Sequence, residues 1–215
     1  MPADEITQRH LQKLRIRGAP STIPGSVGSV GSYEAEETWR QTARALVAPL
    51  DKHVTGASLK QAFDHLAAFA AEQKLQIGED PLFALKGDPT EDPPHKWEYE
   101  AILPIRGAGF SKDRPADGVT VTRIDGGMHI FTITPRGLAD LRNVYVYLFG
   151  KFMPAKKQQL MRPYLLHRVV DGLGAHQAGE RPRAFPDDDA LTIAVYVPAV
   201  LSIKPVAIPG ETGEA

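Results

Sequence analysis

The 215-residue chain contains no cysteine, which removes disulfides, thiolate nucleophiles and cysteine-ligated zinc from the chemistry open to it. It also lacks an excess of either charge, with 25 Lys and Arg against 26 Asp and Glu for a formal net charge of -1. No surplus of positive charge is available to grip a phosphate backbone, so direct nucleic-acid binding is not expected. No run approaches the roughly 18 apolar residues of a membrane span, and "MPADEITQRHLQK" is polar where a secretory signal would be apolar. The expectation is a cytoplasmic protein with no membrane partner. What is present, 42% hydrophobic and 24% charged residues, is the composition of an ordinary globular protein with material for a core.

The chain contains an internal similarity. "SLKQAFDHLAAFAAEQKL", "PLFALKGDP" and "KWEYEAILPI" in the first half are echoed by "GLADLRNVYVYLFGKFMP", "PYLLHRVVDG" and "LTIAVYVPA" in the second. Pro81 then matches Pro163 and Pro104 matches Pro198, the longer second interval being taken up by "GLGAHQAGERPRAFPDD", which has the composition of a loop. Upstream of each helix stands a further strand signal: "KLRIRGAPSTI", with Ile16-x-Gly18, and "VTVTRIDGGMHIFTI", with Ile124-x-Gly126. Within the latter, Asp125-Gly126 is the pair expected of a tight hairpin.

Helical spacing places Leu59, Phe63, Leu66 and Ala70 on one stripe and Leu138, Leu141, Tyr145, Leu148, Phe149 and Phe152 on another, each suited to face a sheet. Alternation in "KWEYEAILPI" sets Trp97, Tyr99, Ala101 and Leu103 on one side of a strand, with Glu98, Glu100 and Ile102 on the other. An antiparallel sheet with helices on one side leaves its second face for a ligand. The first half carries an insertion, "GSVGSVGSYEAEETWRQTARALVAPLDKHVTGA", read as a Gly-Ser linker followed by an amphipathic helix over about residues 34–50, broken at Pro49. No Lys-Ser or Lys-Thr follows its glycines, so the phosphate-loop pattern fails. "PVAIPGETGEA" reads as a loose terminus.

The segments "VTVTRIDGGMHIFTITPRG", "YVYLFGKFMP", "PYLLHRVV" and "IAVYVPA", with "PLFALKGDP" and "YEAILPI", together resemble the GyrI-like family, the effector-binding domain attached to some bacterial transcription activators. The resemblance covers about residues 58–200 and lies in the order and spacing of the segments. It implies an α+β fold in which two pseudo-twofold strand-helix-strand-strand modules share a curved antiparallel sheet, with helices on one face and a small-molecule cleft at the junction. The whole chain is then one domain, half one at about 11–106 and half two at about 117–201, with too little room at either end for a fused helix-turn-helix.

Members of the family that bind cationic drugs carry a glutamate in a Pro-x-apolar-Glu-x-Tyr context, and some relatives use such a carboxylate to hydrolyse cyclopropane-bearing compounds. In "PYLLHR" Leu166 stands where that glutamate would be and Arg168 where the tyrosine would be. Loss of the anion and gain of a guanidinium favour neutral, aromatic or anionic ligands over cations. Tyr164, on the same strand face as Leu166 and Arg168, is the leading aromatic candidate. Phe152 stands where relatives often have a tryptophan, and Trp97, Tyr99 and Tyr196 lie on the closing strands. Glu98 and Glu100 are the carboxylates left to replace the missing one, or are solvated edge charges. The seven histidines show no metal-ligand spacing, His129 and His167 read as satisfying local hydrogen bonds, and no Gly-x-Ser-x-Gly elbow positions a serine.

No catalytic residue, metal or cofactor is therefore assigned. The leading expectation is a stand-alone small-molecule-binding protein, a sensor or sequestering domain. Its alternatives are a hydrolase of reactive electrophiles, a protein-protein role such as gyrase inhibition, and haem or porphyrin binding.

Overall fold

A computed structural model describes residues 33–51, 53–91, 96–106, 118–134, 136–170 and 191–202. The strands are β1 (Ala35–Arg40), β2 (Ala43–Leu50), β3 (Gln76–Ile77), β4 (Leu82–Lys86), β5 (Glu98–Arg106), β6 (Thr120–Ile124), β7 (Gly127–Thr134), β8 (Gln158–Leu160), β9 (Tyr164–Val169) and β10 (Ile193–Leu201). Helix α1 spans Gly56–Glu72. Helix α2 spans Leu141–Tyr147, runs on into a π-helical turn at Leu148–Phe152, and ends in the short α3 (Met153–Ala155). The strands form one antiparallel sheet in the order β1-β7-β10-β9-β4-β5-β2-β6, with β3 on β5 and β8 on β10.

That order is its own mirror when each first-half strand is exchanged for its second-half counterpart, which is the pseudo-twofold relation. The register sharpens it. Ala45 faces Pro104 and His129 faces Pro198, so Pro104 matches Pro198 and Ile102 matches Tyr196. Leu82 faces Ile102 as Leu166 faces Tyr196, so Leu82 matches Leu166. The Pro81–Pro163 alignment is thus two residues out of step. Phe83 and His167 face each other across β4 and β9 and lie on the axis, their rings stacked at 4.6 Å.

Two sequence expectations are corrected at the crossing of the halves. Residues 34–50 form β1 and β2, not a helix. Leu46 and Ala48 pack on the helix-bearing side while Ala45 and Val47 pack on the other, so both faces of β2 are apolar and no period of two shows. Strand pairing then overrides the helical reading. Asp125-Gly126 does not close a hairpin either: β6 pairs with β2, and β7 pairs with β1 and β10. Arg40 faces Gly127 and Ala43 faces Ile124, so β1–β2 and β6–β7 are two long bent strands in one continuous ladder. The first-half counterpart of "VTVTRIDGGMHIFTI" is therefore 35–49, and Thr42 matches Gly126. The segment "KLRIRGAPSTI" lies outside the described residues, as does "GLGAHQAGERPRAFPDD".

The crossing dictates the curvature. Six strand steps separate β1 from β2, roughly 29 Å in a flat sheet. Arg40 and Ala43 are three residues apart and reach at most about 11 Å, so the sheet must curl until its two ends meet. At the meeting point Gly126 N–H donates to Thr42 Oγ1 at 3.0 Å. A Cβ on Gly126 would lie 2.4 Å from Arg40 O and 2.6 Å from Thr42 N, so close backbone approach requires this glycine.

The helix-bearing face buries Leu59, Phe63, Leu66, Phe69 and Ala70 of α1 and Leu141, Val144, Tyr145 and Leu148 of the second helical stretch against Leu103, Leu165, Val195 and their neighbours. Thr55 caps α1 through a capping box with Ser58, with reciprocal bonds of 3.1 and 2.9 Å. The helix-free face has its own apolar cluster, including Leu82, Ile102, Phe131, Leu166 and Tyr196.

Candidate functional site

Asp140 fixes the start of α2. Its carboxylate is buried and accepts from Tyr33 Oη at 2.9 Å, from Asn143 Nδ2 at 3.0 Å and from the Thr134 hydroxyl, with Arg136 Nε 3.7 Å away. Burial first, and then the Asp140 charge, push the Tyr33 phenol well above its ordinary range, so it stays a donor. The helix leaving this anchor carries Arg142, Tyr145 and Val146, and the π-helical turn carries Phe149 and Gly150. An extra residue per turn widens the helix here, a distortion that recurs at functional sites.

These residues line a hollow of about 380 Å³ with Trp97 and with Pro89 and Thr90 from the loop after β4. That volume falls within the range of small-molecule sites, which are mostly apolar with a few placed polar groups. Trp97 meets Tyr145 edge-on, their centroids 5.9 Å apart. Arg142 is the one charged side chain among the described lining residues, and none of them is a carboxylate. Gly150 leaves open space where a side chain would stand, with no atom within 4 Å of a Cβ built there.

Behind this wall Tyr145 Oη lies 2.7 Å from His167 Nε2. Burial pushes His167 down to about 3 and holds Tyr145 well above its ordinary value, with the neighbouring Tyr99 adding to the latter. The pair is therefore uncharged, a hydrogen-bonded floor on the twofold axis. The bond of His167 reaches across elements to Tyr145 and is not local, whereas His129 makes the expected local contact, its Nδ1 lying 3.0 Å from Gly127 O.

The nine sequence-predicted site residues divide between the two faces. Trp97 lines the hollow, Tyr99 lies on the same face beside Tyr145, and Phe152 packs on Tyr147 at 6.4 Å. Glu98, Glu100, Tyr164, Leu166, Arg168 and Tyr196 lie on the helix-free face. There the Tyr164 hydroxyl donates to Glu100, and Lys86 Nζ is 3.6 Å from Glu100 and 3.9 Å from Glu98. Burial and then Glu100 raise Tyr164 far above its usual range. Leu166 and Tyr196 are fully packed in the apolar cluster, and Arg168 is 3.6 Å from Asp80. Sequence reasoning did not pick out Tyr145, Arg142, Phe149 and Gly150. Tyr145 and Phe149 belong to an apolar stripe that reads as core, and nothing in the sequence marks Arg142 or Gly150 as facing a hollow.

Among the described residues no cluster of His, Asp or Glu is placed to hold a metal ion, and no helix is long and apolar enough to cross a membrane.

No family model and no curated protein matches the sequence. Solved structures match the fold. The EcmrR C-terminal domain is 14% identical at a TM-score of 0.57, over 79% of this chain and 98% of that one. EcmrR in its complex with DNA is 13% identical, also at 0.57, over 91% of this chain. The chain spans only 64% of the length of that EcmrR chain. A hydrolase from Listeria innocua is 13% identical at 0.50, over 78% of this chain and 92% of that one. The chain shares the fold of the EcmrR C-terminal domain, with the antiparallel sheet and pseudo-twofold relation expected of it.

Proposed function

We propose that the protein binds a small organic molecule in the hollow between Trp97 and the π-helical turn, as a sensor or sequestering domain, and that the ligand is aromatic and either neutral or anionic. The observation that carries this reading is the lining itself: Trp97, Tyr145 and Phe149 offer ring surface, Arg142 is the only charge among the described lining residues, and no carboxylate is among them to compensate a cation. The EcmrR C-terminal domain lends it support as a fold precedent. Leu166, where the family's glutamate is expected, packs on the other face of the sheet, so the preference for neutral or anionic ligands rests on the lining of the hollow and not on that substitution.

A hydrolytic role has the Listeria innocua hydrolase as its fold precedent, but Glu98 and Glu100 lie on the other face and Glu100 is already engaged by Tyr164 and Lys86. Binding without turnover is the better account.

Calorimetric titration with 2-naphthoate, its amide and a quaternary ammonium of the same size tests the reading. The carboxylate and the amide bind, and the cation is the weakest. Arg142→Gln lowers carboxylate affinity roughly tenfold and leaves the amide unchanged. A cation that binds more tightly than the neutral amide overturns the assignment.

A further inference from the structure

The helix-free face holds a second set of polar groups, where β1, β7 and β10 lie side by side. Thr38 faces His129 across β1 and β7, His129 faces Pro198 on β10, and Tyr196 lies one diagonal step from His129 on the same face. Thr38 Oγ1, His129 Nε2 and Tyr196 Oη are all buried without a hydrogen-bond partner, and the three residues are 6%, 0% and 0% exposed. Buried polar atoms in folded proteins nearly always have a partner, so three on adjoining strands need one reason. The guanidinium of Arg40 lies 4.5 Å from the centre of the Tyr196 ring, and Arg40 and Arg162 both bring positive charge to bear on His129.

The fold does not require these side chains. The other half builds the matching rows with Ala45 in the position of His129 and Ile102 in that of Tyr196, on the same face and equally buried.

Their chemistry defines a guest. A carbonyl only accepts, so the contact with Gly127 O puts the ring proton of His129 on Nδ1 and leaves Nε2 with a lone pair. Burial, aided by the two arginines, lowers His129 to about 4, so this state holds at neutral pH. The two hydroxyls can donate and Nε2 must accept, in a positive field. We propose that Thr38, His129, Tyr196 and Arg40 form a second binding site, for a small oxyanion that still carries one proton, of the hydrogen phosphate class: its bare oxygens accept from Thr38 and Tyr196, and its hydroxyl donates to His129 Nε2. Arg40 bounds the site and is held at 3.6 Å by the exposed Glu79, so the anion competes with Glu79 for the guanidinium.

The test compares inorganic phosphate with sulfate, which has the same shape and no proton at pH 7.5, on the full chain at constant ionic strength. Phosphate raises the melting temperature in a saturable way and shifts the ¹⁵N resonance of His129 Nε2, while sulfate does neither. Glu79→Gln increases phosphate affinity severalfold, and Tyr196→Phe, which keeps the ring, lowers it at least tenfold. Because the histidine resonance is read on the unmutated protein, a variant that fails to fold does not decide the matter. Equal responses to the two anions, or no response to phosphate because only water occupies the site, overturn the proposal.

Discussion

On β9 the difference between neighbouring residues decides the site. "YLLHRV" is apolar enough on both sides that alternation separates Tyr164, Leu166 and Arg168 from Leu165, His167 and Val169 without saying which set the helices cover. The parity is set by the sheet, and it gives His167 to the helix-bearing face. With His129 buried on β7 as well, two histidines are held in neutral form, with a consequence for stability. The folded pKa values of His129 and His167 lie at about 4 and about 3 against 6.5 for the free side chain, so as pH falls the unfolded chain takes up protons that the folded chain refuses. Their contribution is fully present above pH 6.5 and is lost on going down through the window toward those values, with a slope approaching roughly 2.7 kcal/mol per pH unit when both contribute. Urea unfolding at pH 7, 6 and 5 is expected to show this decline, and His167→Phe to remove about half of the slope. A stability that is flat from pH 7 to pH 5 contradicts the burial of both rings.

Among the elements, the helices were the most legible and the first two strands the least. The stripe Leu59, Phe63, Leu66 and Ala70 is buried as its spacing implies, because a helix with one covered face has to carry that period. β1 and β2 carry no comparable signal: their partners on β6 and β7 lie roughly seventy to a hundred positions away, and no local pattern specifies such a pairing. The glycine pair was visible, but its purpose was not. Gly126 admits the crossing strand while Gly127 adopts a φ of 119°. Gly126→Ala is therefore expected to cost about 3 kcal/mol, since backbone on both sides must move. Gly127→Ala, with open space around it and only the backbone strain to bear, is expected to cost about 1 kcal/mol. Chemical denaturation of the two variants reads this order directly, and equal losses would mean that the strands do not cross at Gly126.

At the scale of the molecule, the doubling was legible because each half repeats its helix, its proline-led strand and its closing strand in order. The alignment slipped by two residues at Pro81 and Pro163 because a slip of two keeps every side chain on its face and leaves no trace in the hydrophobic pattern. Each long bent strand serves both halves, so neither half completes its own sheet. Dividing the chain between Arg106 and Gly118 is expected to give fragments that are unfolded or aggregated alone and that recover the native circular dichroism when co-expressed. A soluble, cooperatively folding 1–106 fragment would show that the halves are independent.

The same ladder sets a timetable for synthesis. Residues 35–40 leave the ribosome early, yet their mates on β7 run on to Thr132, so the nascent chain carries β1 unpaired until more than half of it has been made. Non-local pairing of this kind folds slowly, and the protein is most open to misassociation, and to rescue by chaperones, in the interval before that residue emerges.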